Sequence, residues 1–236
     1  MIVIATHLFT RKTLQRRLLL LAAGLLLWAT GLPGQVYFHP SSQQLPQQSA
    51  TALAQDKLGF LWVGTRYGLH RYDGYDFYAA FPAQDSVPRN SANVISSLLV
   101  AQDSNLWVGT NGGGLRFLNY QSLRYEPLPA KNADTLAARV VNALAQDSGG
   151  HIWIGTQYQG LWQYRPAQRR LAPVLPHKRL AGKTLAELHI TALAPAPNNR
   201  LWIGTWSSGL LLYHGPSGSL QQFTPENSPG LRSRNI

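Results

Sequence analysis

Cysteine is missing from all 236 residues. Without thiols there is no disulfide framework, no cysteine-ligated metal and no thiolate nucleophile. The absence is compatible with an oxidising compartment, because a large enough core can do without disulfides. Charge is scarce as well, at 13% of residues, about half the ~25% of ordinary soluble domains. Only ten residues are acidic, which leaves little for paired-carboxylate catalysis. Solvation falls to Gln, Asn, Ser and Thr, a balance suited to an extracytoplasmic β protein. The hydrophobic share of 44% still supports a substantial core.

Catalytic motifs are missing too. No two of the seven histidines have the His-Glu-x-x-His spacing of a helical metal site. There is no Gly-x-Ser-x-Gly elbow and no Gly-x-x-x-x-Gly-Lys phosphate loop. Asn111-Gly112-Gly113-Gly114 is glycine-rich but precedes no helix. Asp147 to Trp153 has the flavour of a sialidase Asp-box, but the Ser/Thr-x-Asp-x-Gly-x-Thr-Trp spacing is not met. No catalytic residue, metal site or cofactor is therefore expected in this chain.

The formal charge is +11, unevenly placed. Arg11, Lys12, Arg16 and Arg17 precede the first apolar run, and without them the balance is +7. That remainder reads as a basic, solvated surface able to steer an acidic ligand. No basic block is interleaved with aromatics, so nucleic acid is not an expected partner. Those four cations, the apolar run Leu18 to Trp28, and the small residues Ala29-Thr30-Gly31 have the layout of a secretory signal peptide. We assign residues 1–34 to it. The run is short for a membrane span of ~20 residues, and an uncleaved anchor is the alternative.

What fills the rest, residues 35–236, is a repeat. Leu61-Trp62-Val63-Gly64-Thr65, Leu106-Trp107-Val108-Gly109-Thr110, Ile152-Trp153-Ile154-Gly155-Thr156 and Leu201-Trp202-Ile203-Gly204-Thr205 recur every 45 to 49 residues. Such a period, with strand-like units, indicates propeller blades. Each copy follows a short strand (Thr51–Ala54, Val94–Leu98, Val140–Leu144, Ile190–Leu193) and a polar turn. Asp56, Asp103 and Asp147 read as formers of that turn. A loop ending in Gly-Leu follows, then a strand with Tyr72, Leu118, Tyr164 or Tyr213, and an outer strand with Phe77, Tyr125, Leu171 or Phe223. Four strands per period make one blade. The fold class is all-β: a propeller with four blades and the start of a fifth. Trp62, Trp107, Trp153 and Trp202 should fill the layers between blades with the Gly-Leu leucines. Gly64, Gly109, Gly155 and Gly204 should let neighbouring backbones approach.

Gln55 to Thr65 with Gly68-Leu69-His70-Arg71-Tyr72-Asp73-Gly74 resembles the two-component regulator propeller repeat. The resemblance covers residues 36 to 236. It implies a closing strand at Val36-Tyr37-Phe38-His39, paired with the last blade of a seven-bladed ring. Seven repeats need over 300 residues at this spacing, so the chain reads as the N-terminal part of such a ring. Leu231 to Ile236 would open a fifth repeat; a closed four-bladed ring is the alternative. The resemblance further implies a periplasmic, ligand-sensing ectodomain of a receptor in the inner membrane, dimeric and anchored by a later helix. Its output would be a histidine kinase or diguanylate cyclase. The alternative is a free-standing periplasmic carbohydrate-binding or scaffold propeller.

The non-repeating residues are the candidate site. After each Gly-Thr come Arg66-Tyr67, Asn111-Gly112-Gly113, Gln157-Tyr158-Gln159 and Trp206-Ser207-Ser208. Being equivalent, they should share one propeller face. Flat aromatic surfaces with a forked guanidinium suit an oligosaccharide. Arg66, Tyr67, Asn111, Tyr158 and Trp206 are the expected ligand contacts.

Overall fold

The computed structural model describes residues 49–80, 94–175 and 184–236, all within one unit, Ser41–Ile236. The expected signal segment 1–34 and the closing strand at Val36 to His39 lie outside these residues. Each repeat forms one antiparallel sheet whose strands pair in sequence order. Blade 1 contains β1 (Ala50–Gln55), β2 (Leu61–Thr65), β3 (Gly68–Tyr72) and β4 (Phe77–Ala79). Blade 2 contains β5 (Ile95–Val100), β6 (Leu106–Thr110), β7 (Leu115–Asn119) and β8 (Arg124–Glu126). Blade 3 contains β9 (Val141–Gln146), β10 (Ile152–Thr156), β11 (Leu161–Arg165) and β12 (Arg170–Pro173). Blade 4 contains β13 (Ile190–Ala196), β14 (Arg200–Thr205), β15 (Leu210–His214) and β16 (Ser219–Phe223). The expected all-β propeller blades are present. The innermost strands run one to three residues further toward their turns than the alternation of the sequence suggests.

A single sheet has two faces to cover, and the blades cover each other. Trp62 packs with Leu106, Val108 and Leu118 of blade 2. Trp107 packs with Ile152, Ile154 and Tyr164 of blade 3, and Trp153 with Leu201, Leu211 and Tyr213 of blade 4. The glycine two residues after Trp62, Trp107 and Trp153 lies against the next innermost strand. A Cβ on Gly64 would stand 2.5 Å from Ile95 Cγ2, and one on Gly155 2.5 Å from Ile190 Cγ2. On Gly109 it would stand 2.8 Å from Val141 Cγ1 of the next innermost strand and 2.2 Å from Ser97 Oγ of its own blade. A Cβ is excluded at these three positions, at Gly64 and Gly155 by side chains rather than by an approaching backbone.

Blade 4 departs from the expectation for Trp202. Trp62, Trp107 and Trp153 are buried, whereas Trp202 is half-buried, as is Leu210 beside it. Among the described residues no further sheet lies over blade 4, so Trp202 is covered by Phe223 of its own blade, at 5.5 Å. Gly204 is correspondingly less crowded, with nearest atoms 3.2 Å from a built Cβ.

A second tie between blades was not legible in the sequence. Each innermost strand slips register by one residue opposite the Gly-Thr pair, a bulge repeated in all four blades. The extra residues are Thr51, Ser96, Asn142 and Thr191. Their side chains donate to the carbonyls of Ile95, Val141, Ile190 and Ile236, the first three of which begin the next innermost strand. Bulges re-aim side chains in this way.

Candidate functional site

The threonine of each repeat builds the base of the candidate face. Thr65, Thr110, Thr156 and Thr205 are buried, and each hydroxyl donates to the carbonyl of the glycine that closes the following loop, at 2.7–3.0 Å. This bond locks the tip between the second and third strands. The closing glycine is tied outward as well. Gly114, Gly160 and Gly209 donate N–H to the carbonyls of Arg139, Leu188 and Arg234 in the segment leading away to the next blade. In all three, φ is positive, and a Cβ on Gly114 or Gly160 would fall within 2.2 Å of a carbonyl oxygen. The repeat thus presents its variable residues on rigid supports.

Those residues are exposed. Tyr67, Tyr158 and Trp206 keep 60%, 63% and 56% of their surface open, and Arg66 and Asn111 are exposed too. The structure draws two of the five together. Trp206 lies parallel to the His189 ring, with centroids 5.7 Å apart and planes 15° apart. Tyr158 meets the same imidazole edge-on, at 5.2 Å and 63°. A three-ring cluster therefore spans the seam between blades 3 and 4. Among the described residues no ring contact joins Tyr67 to it, and Arg66 and Asn111 belong to the tips of blades 1 and 2.

His189 is the member that reading the sequence missed. It lies outside the variable tips, in the residue before β13. The link is a backbone bond repeated along the chain: Asn111 N–H to Val94 O, Gln157 N–H to Val140 O, Trp206 N–H to His189 O. That bond sets the residue after each Gly-Thr beside the residue before each innermost strand. Blades 2 and 3 carry valine there; only blade 4 pairs histidine with tryptophan. The His189 Nδ1 is buried without a hydrogen-bond partner, and burial lowers the imidazole pKa below its ordinary value. Tyr158 adds strain. Its φ is +59°, where blade 2 has Gly112 at +106°. A bulky side chain in the left-handed region costs about 1 kcal/mol or more and tends to mark functional positions.

The aspartates below the opposite turns do more than form them. Asp56 accepts the indole N–H of Trp62 at 3.0 Å, and Asp147 that of Trp153 at 2.9 Å. Asp147 also accepts from His151 Nδ1, at 3.0 Å. Asp103 stands four residues before its tryptophan instead of six, and its carboxylate bonds Asn105 instead. Among the described residues no three His, Asp or Glu side chains gather as a metal site.

The sequence model described as the two component regulator propeller matches residues 44–67, 90–112, 135–158 and 184–207, each match ending at a tip. No curated protein matches the chain. Among solved structures, it is similar to the extracellular domain of BT4673 from B. thetaiotaomicron, described as a hybrid two component system, at 24% identity and a TM-score of 0.65. The likeness covers 85% of this chain but 25% of that one, so this chain spans about a quarter of that relative's length. The extracellular domain of BT3049 from the same organism aligns at 21% identity and TM-score 0.59, over 79% of this chain and 27% of the other. PorZ of Porphyromonas gingivalis, a surface component of its type-IX secretion system, aligns at 18% and 0.63, over 86% and 31%. The fold is that of a propeller, and the chain carries four repeats that match the two component regulator propeller model.

Proposed function

We propose that this chain is an exported, ligand-sensing propeller segment of a membrane signal-transduction receptor, working on the periplasmic side of the inner membrane. The observation that carries the reading is the face of locked tips. The repeated residues (Trp, Gly, Thr) are used up in the blades, while exposed aromatics stand on three of the four equivalent tips. Likeness to extracellular domains of two component systems supports the same reading. Flat rings with amide, hydroxyl and guanidinium neighbours suit an oligosaccharide. A ligand would shift output only by the free energy with which it prefers one arrangement of the receptor. The receptor would be a homodimer anchored by a membrane helix, with a histidine kinase or diguanylate cyclase as output.

The test is affinity for a glycan panel, measured with wild type and with Tyr67→Ala/Tyr158→Ala/Trp206→Ala together. Loss of at least tenfold in the triple variant, with the fold retained by circular dichroism, supports the reading. Unchanged affinity sinks it. The likeness to PorZ favours a second reading, a surface scaffold propeller without an output module. Deleting the gene separates the two: a receptor's loss changes transcription in response to its glycan, and a scaffold's loss does not.

A further inference from the structure

We propose that His189 is the positioning residue of a ligand platform at the seam of blades 3 and 4, and that its protonation dismantles the platform. This rests on the binding face proposed above and goes beyond it in naming one seam, one residue and a regulating variable. Three independent features converge there. The backbone bond from Trp206 N–H to His189 O, at 3.0 Å, fixes the two residues side by side. The imidazole lies between Trp206, stacked, and Tyr158, edge-on, so it sets the tilt of both exposed rings. Tyr158 is held at a φ of +59°, a conformation whose equivalent in blade 2 is occupied by glycine. An aromatic side chain kept in that conformation while most of it is exposed serves something other than the core.

The two tips that supply the cluster are uncharged. The tips packed against His189 carry Gln157, Gln159, Ser207 and Ser208, with no charged residue on either. On its own segment the nearest charge is Glu187, whose carboxylate accepts the backbone N–H of Thr184 at 2.7 Å. An uncharged ligand with a flat C–H face and hydroxyls fits such a platform: the face covers the rings, and the hydroxyls meet amides and serines. A proton on the buried Nδ1 would have no acceptor. Burial of the ring disfavours the imidazolium and lowers the pKa. The neutral, stacked form is thus complete above the ordinary histidine pKa. It is lost as the pH falls below that value and through the lowered one. Protonation drives the ring out of the stack, and Trp206 and Tyr158 lose their alignment.

The experiment uses the full chain and its His189→Phe, His189→Ala and Trp206→Ala variants. Cello-, xylo- and maltohexaose are titrated calorimetrically from pH 7.5 to 5.0, and the Trp206 indole N–H resonance is followed over the same range. The expected result is a tenfold or greater loss of affinity on acidification in wild type. His189→Phe should bind at neutral pH with a flat profile, and His189→Ala should bind weakly throughout. A His189→Phe variant that keeps the wild-type pH profile overturns the role of His189 while leaving the binding face standing. If no hexaose binds, the resonance decides. A Trp206 shift that moves with pH in wild type and is still in His189→Phe upholds the positioning role; one that is static in wild type, or moves equally in both, overturns it.

Discussion

Replacing Asp56 with alanine should cost the propeller about 3 kcal/mol, and the same change at Asp103 very little. Both aspartates follow Ala-Gln at the same point of the repeat, so sequence position alone gives them equal weight. The structure does not. Asp56 is buried and takes three hydrogen bonds: Leu58 N–H and Phe60 N–H at 3.0 Å on one oxygen, Trp62 Nε1 at 3.0 Å on the other. Its charge also reaches the next blade, where it helps to raise the Tyr120 pKa, second to burial. Leaving a buried indole N–H without an acceptor costs about 1–3 kcal/mol. The two turn amides lie near solvent, where water restores most of each bond, so they add roughly 0.5 kcal/mol apiece. Asp103 bonds only the exposed Asn105, and Trp107 is held by its contacts with Phe117 and Tyr164. A loss of about 0.5 kcal/mol is expected there. For a domain of this size 3 kcal/mol lowers Tm by about 6–12 °C. Thermal unfolding followed by circular dichroism would show a drop of that order for Asp56→Ala and one near 1–2 °C for Asp103→Ala. Equal drops would refute the claim that the indole bond, not the turn, is what the carboxylate supplies.

Two further comparisons test the packing between blades. Gly155→Ala sets a Cβ 2.5 Å from Ile190 and should destabilise by about 1–3 kcal/mol, whereas Gly204→Ala, whose Cβ meets only side-chain atoms at 3.2 Å that can shift by a few tenths of an ångström, should move the urea midpoint clearly less. Trp153→Ala should cost about 3–5 kcal/mol, and Trp202→Ala clearly less, because Trp202 is half-buried; equal unfolding midpoints for the two would contradict the open face of blade 4. Tyr158→Gly should raise Tm, since glycine takes a φ of +59° without strain, while weakening any ligand bound at that seam.

The sequence by itself determined the repeat and therefore the blades. A Trp-x-Gly-Thr unit returning every 45 to 49 residues has four strands of pattern, too few to bury both faces alone, and stacking is the physical solution. It also marked the variable tips, because positions free of packing duty stand out against a repeating background. Only the tertiary structure decided which of these come together. Tyr158 and Trp206 meet through His189, some thirty residues from one and seventeen from the other, because a backbone bond crosses from each tip to the start of its blade. It alone decided which aspartates hold an indole, since two residues of hairpin length separate reach from no reach. Trp202 shows the same limit: its motif is that of the buried tryptophans, but burial depends on what lies over the blade. Periodicity is local and survives in sequence, whereas contact between blades depends on distances that no single repeat contains.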